Sequence, residues 1–204
     1  MRYFLILTLV VVATSPTMAR ADAMQDALVK SYAAERSQQY DEAVTALLNV
    51  RKQTYLVNMR LGWLHYLRGD YSSSKQFYQA SMRMAPKSVE PRLGYTLPLM
   101  AEQKWQEVET VCKTILGIDA SQYTAALRLT TALRVQGKYR PARDLNASML
   151  ELYPTDVSFL AEQLVVSAAL KQTDVKQLIE SILAVDPENA TAKAYLPLLA
   201  ASKK

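Results

Sequence analysis

The sequence predicts an all-α chain built from a repeated pair of antiparallel helices. Glycine is scarce, five in 204 residues, so the Gly-rich turns that a barrel or sandwich needs at short intervals are missing. Aromatics recur at a nearly fixed interval: Tyr40, Tyr71, Trp105 and Tyr139 lie 31, 34 and 34 residues apart. Residues three, seven and ten after each aromatic form columns: Ala43, Ser74, Val108, Ala142; Leu47, Tyr78, Cys112, Asn146; Val50, Ser81, Ile115, Met149. Those offsets share one face of a helix.

From the N-terminus, Met1-Arg2 gives a positive end, and Tyr3 to Ala13 is an apolar run interrupted by Thr8. Ala19-Arg20-Ala21 then offers a small-x-small cleavage site. The run is shorter than the roughly 20 residues a membrane span needs. Residues 1–21 are therefore expected to be an export signal that is removed, which places the protein in the periplasm or outside the cell. The remaining 22–204 form one repeat domain, with units at about 24–54, 55–88, 89–121, 122–155 and 156–188 and a capping helix over 189–202. The short first interval is expected in the link between the first two units.

Within each unit a first helix precedes the aromatic, as in LGWLHYL from Leu61, LGYTLPLM from Leu93 and LRLTTAL from Leu127. Gly62 and Gly94 are expected to let two helices approach closely. Gly62 to Tyr71 is nine residues but Gly94 to Trp105 is eleven, which predicts a kink or a longer turn near Pro98. Arg68-Gly69-Asp70 lies where the two helices of a unit meet. Gly69 suits the left-handed residue that ends a helix, and Asp70 suits the N-cap of the next; Gly137 repeats the role. The tripeptide is read as turn chemistry and not as an adhesion signal. Pro86, Pro154 and Pro187 close second helices, since proline lacks the amide donor.

These features resemble the tetratricopeptide repeat family. Leu61-Gly62, Tyr71, Tyr78 and Pro86 carry the likeness in the clearest unit, Leu93-Gly94 and Trp105 in the next, and Tyr139, Ala142 and Pro154 in the one after. Asn146 departs from it, standing where a large apolar residue is usual. The resemblance implies a right-handed superhelical solenoid whose first helices line a concave face that binds a peptide or helix. Carried over by position, that face holds Leu28, Tyr32 and Glu35; Met59, Trp63 and Tyr66; Pro91, Tyr95 and Pro98; and Leu127, Thr131 and Arg134. Partner contact is expected above all from Tyr32, Met59, Trp63, Tyr66, Tyr95, Leu127 and Arg134. The dicarboxylate clamp of some chaperone adaptors needs Lys and Asn where Leu28, Tyr32, Met59 and Trp63 stand, so that activity is not expected.

Catalytic and metal chemistry find no footing. His65 is the single histidine and Cys112 the single cysteine, so no His/Cys metal set or intramolecular disulfide can form, and no phosphate-binding or nucleophile motif occurs. No cofactor is expected, and the chain is read as a non-enzymatic scaffold. Of 24 basic residues, loss of Arg2 and Arg20 leaves 22 against 19 acidic, a net charge of +3, too mild to predict nucleic acid. Arg128, Lys138, Arg140 and Arg143 form a cluster that could meet an anionic partner. Homo-oligomerisation through the open ends of the array is the alternative expectation, and a subunit role in an envelope enzyme complex a more distant one.

Overall fold

The structure, a computed structural model, describes the backbone over residues 16–201 and side chains over 23–197. Among the described residues it holds eleven α-helices and no strand: α1 (Pro16–Arg36), α2 (Tyr40–Leu48), α3 (Tyr55–Leu67), α4 (Tyr71–Met84), α5 (Glu90–Ala101), α6 (Trp105–Ile118), α7 (Tyr123–Val135), α8 (Tyr139–Leu152), α9 (Val157–Ala169), α10 (Val175–Val185) and α11 (Ala190–Ala201). Each helix packs on its neighbours in sequence. Five antiparallel pairs stack in order, and α11 lies against both α9 and α10 at the end. Most of the expected export signal lies outside the described residues, Pro16 to Ala21 opening α1; Ser202 of the expected cap also lies outside.

The turn inside each pair is the same object five times. Gln38, Gly69, Gln103, Gly137 and Lys171 all have positive φ, between 54° and 77°. The next residue's N–H donates five residues back in every case: Gln39 to Ala34 O, Asp70 to His65 O, Lys104 to Leu99 O, Lys138 to Leu133 O and Gln172 to Ser167 O, each at 2.9 Å. This is the Schellman closure, which satisfies carbonyls orphaned at a helix C-terminus. Glycine meets the left-handed conformation without strain in two turns; elsewhere the closing bond holds a Gln or Lys in it. Asp70 caps α4, its carboxylate accepting from Ser73 N at 3.1 Å. The turn aromatics Tyr40, Tyr71, Trp105 and Tyr139 are the first residues of α2, α4, α6 and α8.

The predicted columns are the core faces of those helices. Every residue three or seven after the aromatic is buried, from Ala43 and Leu47 to Ala142 and Asn146. Apolar residues form four local clusters along the array, as a solenoid requires, since each unit meets only its neighbours. Asn146 keeps its place through polar packing: its Nδ2 donates to Phe159 O at 2.7 Å and Gln163 Oε1 at 3.1 Å on α9. It is fully buried, so the N-x-S sequence Asn146-Ala147-Ser148 cannot carry a glycan there. Cys112 is buried too, and burial pushes its thiol up to about 12.

Two expectations about spacing are corrected. The short first interval lies not in the link but in α2, nine residues against fourteen in α4, α6 and α8. Near Pro98 there is no inserted residue and no longer turn: α5 runs unbroken through Pro98, and three residues separate α5 from α6, as between α3 and α4. Gly62 and Gly94 are not equivalent positions. Both face the single ring of Tyr78 on α4, one from α3 and one from α5; a Cβ on Gly62 would stand 3.0 Å from the ring and one on Gly94 2.1 Å. Counted back from the left-handed residue, the partners of Gly62 are Ser31, Thr96, Thr130 and Leu164, all buried.

Candidate protein-binding groove

The same count places the inner face. Positions ten, six and three before each left-handed residue are Leu28, Tyr32, Glu35 on α1; Met59, Trp63, Tyr66 on α3; Leu93, Leu97, Met100 on α5; Leu127, Thr131, Arg134 on α7; and Ala161, Val165, Ala168 on α9. None of these fifteen is buried, whereas the position seven before is buried in every unit. The odd-numbered helices also meet one another, α3 on α5, α7 on α9 and α9 on α11, and their side chains pair across α1–α3 and α5–α7. They line the inner side of the array.

Of the sequence-predicted residues, Tyr32, Met59, Trp63, Tyr66, Leu127 and Arg134 fall on these columns. Tyr95, Pro91 and Pro98 do not. Tyr95 stands in the register of Leu61 and Leu129, and its hydroxyl accepts from Gln79 Nε2 on α4 at 3.2 Å. Pro98 is buried in the register of Leu64, Ala132 and Val166. The inner residues of the third unit are Leu93, Leu97 and Met100, because Gly94 stands two positions earlier in its unit than Gly62 does in its own.

The groove is most aromatic at α1 and α3. Tyr32 is 44% exposed and Leu56, near the start of α3, 47%. The Arg60 guanidinium lies over the Tyr32 ring, 3.8 Å from its centre. The rings of Trp63 and Tyr66 are 5.7 Å apart, and Trp63 Nε1 donates to Glu35 Oε1 at 2.7 Å. Arg60 pairs with Glu35 and donates to Ser31 O. Burial pushes the Glu35 carboxyl up, but the Trp63 and Arg60 donors outweigh it and hold the group below the usual carboxylate range.

Polarity reverses at the other end. Arg134 on α7 grips Glu162 on α9 with two nitrogens, Nε to Oε2 at 2.6 Å and Nη2 to Oε1 at 3.2 Å. Thr131 adds a third bond to the same carboxylate at 2.8 Å. Arg134 is thus an inter-repeat clasp, and its charge is already matched.

Three of the basic residues singled out in the sequence already have partners. Lys138 pairs with Glu109 at 2.8 Å and Arg143 with Asp144 at 2.8 Å. Arg140 is exposed at the start of α8. Arg128 is half-buried on α7 and turns to α5, its Nη1 donating to Leu93 O and Thr96 Oγ1, both at 2.6 Å. His65 is also accounted for: its Nδ1 lies 3.0 Å from Asp70 Oδ2 and its ring stacks on Phe77 at 5.1 Å. No cluster of three or more His, Cys, Asp or Glu residues that could hold a metal occurs among the described residues.

No family model matches the sequence, and no curated protein matches it. Solved structures do match in shape. A crystal structure of MamA superposes with a TM-score of 0.71 at 11% identity, covering 83% of this chain and 95% of that one. MamA from AMB-1 gives 0.69 at 16% identity, covering 89% and 99%. YrrB, described as a TPR protein with an unusual peptide-binding site, gives 0.69 at 12% identity, covering 91% and 98%. Identities this low establish fold alone, and the fold is a solenoid of stacked helix pairs of the tetratricopeptide-repeat type, as in YrrB.

Proposed function

We infer that this chain is a non-catalytic protein-interaction scaffold that binds an extended peptide or a helix along its inner face. The carrying observation is the inner face itself: fifteen positions, none buried, mostly apolar or aromatic. Exposed aromatics in a groove are suited to anchor a partner, because each brings a large area with few rotatable bonds. YrrB, a protein of the same fold, has a peptide-binding site, which supports the reading. We further place the scaffold in the cell envelope, on the strength of the apolar run and the Ala19-Arg20-Ala21 site in residues 1–21.

A pull-down from envelope extract tests the groove. Tyr32→Ser/Leu56→Ser removes two exposed apolar side chains with little effect on the core. It should lose partners that the wild type retains, while a control at the exposed Val185 on α10 keeps them. An unchanged set of partners removes the inner face from consideration. Export is checked by N-terminal sequencing of the protein from the envelope fraction, which should begin at Asp22.

One observation favours self-assembly as a second reading. A cleft of 1220 Å³ opens between α1 and α2, away from the inner face, lined by Ala23, Ala27, Ala34, Ala46 and Val50 among others. Sedimentation showing monomer alone at high micromolar concentration would dismiss it.

A further inference from the structure

One pair of positions links the odd helices throughout: the residue three before the left-handed turn in one unit, and the residue nine before it in the next. In order these pairs are Glu35 with Arg60, Tyr66 with Gly94, Met100 with Arg128, and Arg134 with Glu162. The first and last are ion pairs of opposite polarity. The third has a guanidinium and no carboxylate. Met100 occupies the place from which Glu35 neutralises Arg60.

Arg128 is held rigidly but only in part. Nη1 is committed to Leu93 O and Thr96 Oγ1. Among the described residues Nε and Nη2 have no acceptor, and neither is sealed from solvent. The titratable neighbours that act on it are Cys112, Tyr66 and Tyr78, and burial raises the pKa of Cys112 and of Tyr78, which keeps both neutral. Burial of the guanidinium itself disfavours its charge. An arginine half-removed from water without a counter-charge is costly, and its two free donors form the edge that takes a carboxylate in bidentate fashion.

Resting on the groove reading above, we propose that Arg128, next to the inner residue Leu127 and turned toward α5, is a carboxylate-binding site at the margin of the inner face, filled by an Asp or Glu side chain of the bound segment. The flanking inner positions are apolar: Leu97 and Met100 on α5, Leu127 on α7. The segment would therefore carry its acid among apolar residues. A side chain is favoured over a chain terminus because inner-face positions continue on both sides of Arg128, to Trp63 one way and Val165 the other. A segment running through the groove has no end at this point.

The test selects random dodecapeptides displayed on phage against the full chain. Selected peptides are then synthesised with their acid as Asp or Glu, as the amide, and with the C-terminus free or amidated. Wild type should select peptides with one acidic residue among apolar ones, and acid-to-amide exchange should weaken binding at least tenfold while amidating the C-terminus leaves it unchanged. Met100→Glu supplies the internal carboxylate and keeps the Arg128 hydrogen bonds to α5. In that variant the acid preference should vanish, and Arg128→Gln should behave alike if it folds. Binding that Tyr32→Ser/Leu56→Ser abolishes, but that ignores acid-to-amide exchange, overturns the carboxylate site and leaves the groove intact. Dependence on a free C-terminus overturns the side-chain assignment. Failure to select any groove-bound peptide overturns both readings.

Discussion

Gly94→Ala should destabilise this protein although it places a better helix former in a helix. The Cβ of residue 94 would lie 2.1 Å from Tyr78 Cε1, 2.5 Å from Cζ and 2.7 Å from Cδ1. Ordinary contact begins at 3.4 Å, so ring and α5 must separate by about 1.3 Å, the difference between those two distances. The ring cannot retreat, because on its far side the backbone of Gly62 is already close enough that a Cβ there would stand 3.0 Å away, and Tyr78 is 2% exposed. Overpacking of this kind costs about 1–3 kcal/mol, and the gain in helix propensity returns up to about 1 kcal/mol. With the full gain subtracted, the net is a loss of up to about 2 kcal/mol, or a urea midpoint lower by up to about 1 M at the slope expected for a chain of this size. Circular dichroism against urea measures it. Gly117→Ala is the control, since a Cβ there meets nothing within 4 Å; it should be neutral or stabilising. In a Tyr78→Leu background, which removes the Cε1 and Cζ atoms that stand nearest, Gly94→Ala should lose most of its penalty, a coupling of about 1 kcal/mol. If Gly94→Ala tracks Gly117→Ala in the wild-type background, the shared-ring explanation for the two glycines is refuted.

Glu109 is buried on α6, and the ammonium groups of Lys113 and Lys138, with the Gln136 amide, hold its carboxyl down to about 2. Because the folded pKa is depressed, its contribution is full above the unfolded value near 4.5 and is lost as pH falls toward 2. Glu109→Gln should cost on the order of 1 kcal/mol at pH 7, since both lysines are partly solvated, and the gap from wild type should close between pH 4.5 and 2; a gap independent of pH in urea titrations contradicts the assignment. Asn146→Leu restores the large apolar residue usual at its position, yet it should destabilise by about 1–2 kcal/mol, because buried Gln163 loses its donor partner and Phe159 O an acceptor bond. A midpoint equal to or above wild type in the same assay would show that the polar link is dispensable.

Much of the architecture was legible because it is local. The turn aromatics, the columns at three and seven residues and the Gly69-Asp70 closure depend on helix periodicity and on backbone hydrogen bonds within a few residues. Gln38, Gln103 and Lys171 adopt the same left-handed turn without glycine, and only their spacing betrays them. The inner face named from the sequence falls in the observed register in three units of four, those of α1, α3 and α7, where the count was anchored correctly. It failed on α5, because a glycine kept for a neighbour's ring looks the same in sequence as a glycine kept for the repeat.

By itself, then, the sequence determined the helix pairs, their period and the side of each helix that enters the core, since these follow from which residues recur and which conformations they favour. Tertiary structure alone decided which charges cancel. Arg60, Arg128 and Arg134 are alike in sequence, each on a first helix among apolar residues. Glu35 neutralises the first and Glu162 the third, while Met100 takes the equivalent place in register for the second. Those partners lie 25 and 28 residues away on adjacent helices, and only the stacking of one unit on the next brings them within reach.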